Sequence, residues 1–352
     1  MHLELAFLLD RALQELDLGS LELPLRANAK PNLVKSHFGI LPVNDCDPKH
    51  QARLVSTIAF HLAAELNALV EQGTISPLLL AQALVAGLER LEERGLFEPN
   101  LSSLGHLNFT PTPEFVRKFI AQLELSGAEC LFRAEPLLVG EGTVAGEQRS
   151  LDDLRLEVDW IRLQREVAGC ENEDSAQLIS ERGANLTGED RLMLAALLGD
   201  SELEVKPYLA GWSSRQNVPW YLKQAARDAS AFAVRLAKFR DQSLGEPSAV
   251  ALSPLLTRTC FVSALEDATS EWEWILLRAR SEFRGACRGD VPRYLTYLTR
   301  LAQAFYAVYN HPAGRHLERQ LPTLQLRVAP LAALTGEFLR LNLRILLSGS
   351  RL

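Results

Sequence analysis

Apolar residues recur along much of this chain at steps of three and four, the pattern of helices that bury one face. The clearest run lies between Asp290 and Asn310, where Tyr294, Leu298, Leu301, Phe305 and Val308 follow one another at four, three, four and three residues. Asp290 is suited to cap that helix. Pro292 falls in its first turn, where a missing N–H costs nothing, and His311-Pro312 closes it. The same periodicity predicts a first helix over 3–16, carried by Leu5, Leu8, Leu9, Leu13 and Leu16 and ended by Gly19. Further helices are expected over about 50–72, over about 76–95 from the start signal Ser76-Pro77, and from Thr112 or Pro113 to Leu125. Nearer the carboxyl end, helices are predicted to about Lys238 and over about 263–287. Within Pro322–Leu347, Leu331, Leu334, Phe338, Leu341 and Ile345 form a further buried stripe.

Two stretches break the helical period. Residues 20–48 are rich in turn formers and predict one or two short strands. Over 154–160, Leu154, Leu156, Val158 and Trp160 alternate with polar residues, a pattern open to strand or helix.

Composition sets the class. A chain of 352 residues that is 47% apolar has material for two or three packed domains. No apolar run has the length needed to span a bilayer, and the acidic start lacks the basic region of a secretory signal, so the expected compartment is the cytoplasm, with no membrane partner. Cys46, Cys130, Cys170, Cys260 and Cys287 are odd in number and form no C-x-x-C, which predicts reduced thiols rather than a zinc site or a disulfide framework.

Net charge is −7, but it is unevenly distributed: residues 211–352 hold 19 Lys and Arg against 11 Asp and Glu, leaving 1–210 at −15 and 211–352 at +8. Screening over about 8 Å at physiological salt means that a polyanion responds to a local field rather than to the mean charge. The basic half is therefore a candidate polyanion binder; docking of the acidic half on the basic half is the alternative use of the same asymmetry.

Catalytic and cofactor patterns are missing. The seven histidines form no H-E-x-x-H, no serine sits in G-x-S-x-G, and His311 and His316 bracket a proline-containing loop. Gly140, Gly142 and Gly146 miss the dinucleotide fingerprint by one residue, beside acids that would repel a pyrophosphate. Glu171-Asn172-Glu173-Asp174 lacks the glycine and the terminal glutamate of a calcium loop. No catalytic residue, metal or cofactor is expected. The polar side of the 290–310 helix does carry chemistry: Arg293, Thr296, Arg300 and Gln303, with Tyr297, Tyr306 and Tyr309 along its margins. Cations and rings on one rigid rod suit contact with phosphates and unstacked bases. Packing against a neighbouring helix is the competing role for each tyrosine.

Arg293-Tyr294-Leu295, Ala304-Phe305 and Tyr309-Asn310 resemble the R-Y-L…F…F-Y-N helix of the all-α, DALR-type anticodon-binding domain of arginyl-tRNA synthetases. Other segments follow in that family's order. Gly188-Glu189-Asp190-Arg191-Leu192-Met193 resembles its G-x-D-A-L-R segment, with Arg191 and Met193 in place of the alanine and arginine. Asn217, Trp220-Tyr221, Ala226-Arg227 and Ser230 resemble N-P-x-Y-Y…A-R-x-x-S, Glu271-Trp272-Glu273 with Leu276-Leu277 resembles the E-x-E-L-I helix, and Pro322–Leu347 resembles the family's final pair of helices. Gly105-His106-Leu107-Asn108-Phe109 resembles the G-F-I-N-F of the synthetase amino-terminal domain, which packs beside the tRNA elbow.

The resemblance implies a mainly α chain: a small α+β domain over 1–125, an acidic connecting segment over 126–185, and a DALR-type helical bundle over 186–352. It implies tRNA as partner, an arginine acceptor by analogy. Arg227, Arg293, Arg300 and Arg344 are then candidates for phosphates, and Tyr297, Tyr306, Tyr309 and Asn310 for stacking on and reading loop bases. About 60 residues separate Leu125 from Ala184, too few for a doubly wound ATP-binding domain, and neither H-x-G-H nor K-M-S-K-S occurs. The expectation is a non-catalytic tRNA binder acting as adaptor or regulator, presenting tRNA to an aminoacylating or tRNA-modifying enzyme. A protein adaptor without RNA binding and the tRNA-binding subunit of a split enzyme are the alternatives.

Overall fold

A computed structural model describes residues 2–14, 40–42, 54–68, 74–91, 94–132, 137–138, 218–243, 257–287, 291–312 and 322–348. The chain is mainly helical and divides into two compact units, 2–122 with 137–138, and 123–132 with 218–348. Expectations for Gly140–Gly146, Leu154–Trp160, Glu171–Asp174, Gly188–Met193 and Asn217 lie outside the described residues. Among the described residues, no helix is long and apolar enough to cross a membrane.

The first unit contains α1 (His2–Gln14), β1 (Ile40–Pro42), β2 (Leu54–Ser56), α2 (Ile58–Asn67), α3 (Pro77–Arg90), β3 (Phe97–Leu101), β4 (Leu107–Pro111) and most of α4 (Pro113–Ser126). Its four strands form an antiparallel sheet in the order β1-β2-β4-β3. The helix expected over about 50–72 therefore begins only at Ile58, and Leu54–Ser56 form β2. Leu54 and Ser56 both point into the core while Val55 between them is half-exposed, a period of two that the helical reading passed over. Strand pairing of Leu54 with Phe109 fixes this register, and the Ser56 hydroxyl then accepts from the Ile58 amide as α2 begins.

Helix starts follow the expected signals. Ser76 accepts the Leu78 amide at 3.2 Å with Pro77 in the first turn, and Thr112 accepts the Phe115 amide at 3.1 Å ahead of Pro113. Gly105 turns the chain into β4 at φ +96°, and a Cβ there would lie 2.8 Å from the Pro77 carbonyl carbon and the Leu78 amide nitrogen. Glycine is required at that position for both reasons.

The second unit comprises α5 (Val218–Ser243), α6 (Thr257–Leu277), α7 (Ala279–Cys287), α8 (Val291–Tyr309) and α9 (Pro322–Ser348). Three expectations change here. The helix over 263–287 is two helices broken at Arg278, whose carbonyl accepts the Ser281 and Glu282 amides that open α7. The terminal pair is one helix with Pro330 inside it. The start of the segment expected to connect the domains is folded into this unit. Gly127, at φ +80°, ends α4, and the following 3₁₀ turn Ala128–Phe132 sets Phe132 against the rings of Phe283 and Phe338 at 4.7 and 5.2 Å. Arg280, buried, holds that turn with two hydrogen bonds from Nε and Nη2 to the Cys130 carbonyl at 3.0 and 2.6 Å.

Helix α8 packs against α5, α6 and α7, and α9 lies chiefly along α5. The five-residue stripe read from the sequence is fully buried. Three buried polar contacts bind α9 to the rest among the described residues: Trp272 Nε1 donates to Thr335 Oγ1 at 3.0 Å, the Tyr294 hydroxyl donates to Asn342, and Gln325 Nε2 donates to the Leu236 carbonyl at 2.7 Å.

At the α5–α9 crossing, a Cβ on Gly336 would meet the Ser230 hydroxyl, and the Ala226 carbonyl and Ser230 amide at 3.0 Å. Ala exceeds Gly in helix propensity by about 1 kcal/mol, so the sign of Gly336→Ala tests the close approach. Overpacking of about 1–3 kcal/mol is expected to prevail, and thermal unfolding should move down. A higher melting temperature would mean that the two helices do not need glycine to meet.

Candidate nucleic-acid interface

Helix geometry separates the tyrosines that the sequence placed together. Tyr297 and Tyr306 are nine residues apart, which at 100° per residue puts them about 180° apart around α8. They therefore lie on opposite margins. Tyr297 is only 6% exposed, its hydroxyl donates to the Ile275 carbonyl at 2.9 Å, and its ring stacks on Tyr294 at 5.8 Å. The expected stacking role is not open to it: the ring has no free face for a base. Arg293 on that margin is exposed, but its Nε lies 3.5 Å from Glu282, a carboxylate that also pairs with Arg278 at 2.6 Å.

The opposite margin, where α8 meets α5, holds Tyr306 and Tyr309; Arg300, about 60° from Tyr297 and about 120° from Tyr306 around α8, lies outside it. Phe305 is fully buried, with ring centroids of Tyr306, Tyr309, Trp272 and Phe232 at 4.9, 5.3, 5.6 and 6.3 Å. Tyr306 and Tyr309 are half-buried in this cluster, each keeping part of its surface exposed. The Tyr306 hydroxyl donates to Asp228 Oδ2 at 2.8 Å, and Gln224 Nε2 donates to Asp228 Oδ1 at 2.8 Å. Tyr221 lies 5.6 Å from the Tyr306 ring. The Arg235 guanidinium stands over Phe232 and Tyr309 at 5.1 and 6.0 Å, within cation–π range. Arg227, Arg300 and Asn310 are exposed, as is Arg344 on α9.

Arg235 and Asp228 were missed from the sequence. Their signal was present in helical spacing: Phe232 and Arg235 are at i, i+3, and Gln224 and Asp228 at i, i+4, pairs that share a helix face.

Charge is segregated around the bundle. The exposed ionisable side chains of α5 over 218–238 are Lys223, Arg227, Arg235 and Lys238, whereas α6 exposes Glu266, Asp267 and Glu271. Among the described residues no group of histidines, cysteines and acids is arranged to hold a metal. The first unit has an apolar pocket lined by Leu5, Leu8, Leu88, Leu91, Phe97 and Phe109, whose one carboxylate is the exposed Glu89. It offers no polar constellation for chemistry. Compared with protein-family models, curated proteins and solved structures, the chain matches none.

Burial, the hydrogen bond and negative charge of Asp228, and the neighbouring Tyr221 and Tyr309 all push the Tyr306 phenol well above the usual tyrosine value. Burial and Glu282 do the same to Tyr297, against an opposing effect of Arg278. A raised folded value makes the contribution of Tyr306 fully present below about pH 10, its unfolded value, and lost as pH rises further. Denaturant unfolding between about pH 8 and 11 should show stability falling at the alkaline end. The fall should be shallower in Tyr306→Phe; an unchanged profile would mean that the folded protein does not hold the Tyr306 phenol above its usual value.

Proposed function

We propose that the chain is a non-catalytic tRNA-binding protein related to arginyl-tRNA synthetases, whose helical unit is a DALR-type bundle that holds an anticodon stem-loop. What carries the reading is the α5–α8 margin. There, two half-exposed tyrosines and a guanidinium lying over aromatic rings stand with exposed Arg227 on α5 and exposed Asn310 next to Tyr309. Phosphates would meet Arg227, Arg300 and Arg344, and unstacked bases would meet the exposed parts of Tyr306 and Tyr309, with Asn310 offering both a donor and an acceptor to a base edge. Arg293 serves less well, because it stands on the opposite margin with its Nε 3.5 Å from Glu282. The resemblance in the 291–310 and 218–230 segments supports the choice of tRNA over other RNA. The first unit is read, on Gly105–Phe109, as the elbow-contacting module. The protein acts as adaptor or regulator, with any aminoacylation or modification supplied by another enzyme in the cytoplasm.

Filter binding of bulk tRNA across a salt series tests the reading. Affinity should fall as salt rises, with a log–log slope of about −0.7 to −0.9 for each phosphate neutralised, and arginine-dependent ATP–pyrophosphate exchange should be nil. Binding that ignores salt would contradict RNA recognition, and exchange by the purified chain would contradict the non-catalytic assignment.

A further inference from the structure

Resting on that RNA reading, the geometry points to a phosphodiester track along the outer face of α5, formed by Lys223, Arg227, Arg235 and Lys238. All four are exposed. At 100° and 1.5 Å per residue they fall within about 120° of arc and extend over about 22 Å of helix, so one strand running along α5 meets each in turn. Asp228 is the only acid within 218–238. Its two oxygens accept from Tyr306 and Gln224, which holds the carboxylate in the helix seam instead of on the track. The two edges differ. On the α8 side, Arg235 over Tyr309 joins the track to the half-exposed rings. On the α9 side, Arg340 Nη2 donates to Ser230 Oγ at 2.8 Å, and Arg344 follows one turn later. Backbone phosphates therefore lie on α5, with bases turned toward Tyr306 and Tyr309.

An acidic membrane surface would attract the same cations. A helix that settles in a bilayer interface inserts its apolar face, however, and the apolar face of α5 is covered: Leu222, Ala225, Ala229, Phe232 and Leu236 are buried in the bundle. RNA fits the track because a strand needs only the outer face.

The test compares the full-length protein with a variant carrying Lys223→Gln, Arg227→Gln, Arg235→Gln and Lys238→Gln, using bulk tRNA and polyuridylate over a salt series. Loss of four phosphate contacts should reduce the magnitude of the slope by about 3, at about 0.7 per contact on a single strand. It should weaken both RNAs alike, because phosphate contacts carry no sequence information. Lys223→Gln and Lys238→Gln alone should each remove about 0.7, which keeps the test valid if the fourfold variant unfolds. Neutralising Glu266, Asp267 and Glu271 on α6 should leave the slope as it was. If the unaltered protein binds RNA and the fourfold variant keeps its slope and affinity, the track is wrong and the RNA reading stands. If the unaltered protein binds no RNA, both are wrong. Binding of vesicles rich in phosphatidylserine that is lost in the fourfold variant, without RNA binding, would assign the face to a membrane surface instead.

Discussion

Everything proposed for the helical unit depends on how one ring is packed. Phe305 is fully buried at the junction of α5, α6 and α8, in contact range of Phe232, Trp272, Tyr306 and Tyr309. Aromatic rings bury large areas and prefer defined offset or edge geometries, so this cluster sets the rotation of α8 about its axis as well as its position. That rotation decides which tyrosines reach solvent. With Phe305 inward, Tyr306 and Tyr309 are carried to the α5 seam and Tyr297 is carried into the core.

The seam then organises charge. Asp228 would otherwise oppose the cations of α5, but Tyr306 and Gln224 each satisfy one of its oxygens. Arg235 is drawn over Phe232 and Tyr309, so a cation and a ring form a single surface. The exposed acids of the described bundle helix α6, Glu266, Asp267 and Glu271, lie off this seam, and the excess of acids that makes the total negative belongs to residues 1–210. A chain of net charge −7 can thus present a positive face, since fields beyond a Debye length are screened.

The core stripe of α8 was legible in the sequence because burial and helical period coincide: Tyr294, Leu298, Leu301, Phe305 and Val308 are all fully buried. Capping signals at Ser76 and Thr112 were legible for the same local reason. β2 was not, because a three-residue strand gains its identity from pairing with β1 and β4, partners distant in sequence. The break at Arg278 and the docking of Ala128–Phe132 also rest on distant partners, among them the Arg280 bonds to Cys130. In the candidate interface, Arg227, Asn310 and Arg344, all exposed, were singled out through the resemblance, whereas exposure of Arg300 followed from the polar face of the 290–310 helix. The fate of each tyrosine did not, since a margin has two sides and only the neighbouring helix distinguishes them. The resemblance to synthetase anticodon-binding domains remains a sequence argument, to which the α5–α8 seam adds a physical one.

The central claim is that RNA lies on the α5–α8 margin. Ultraviolet crosslinking of tRNA to the purified protein, followed by identification of the crosslinked peptides, tests it most directly. The account predicts adducts within 218–243 and at Tyr306 or Tyr309; adducts confined to the acidic outer face of α6, or a complete absence of them, would contradict it.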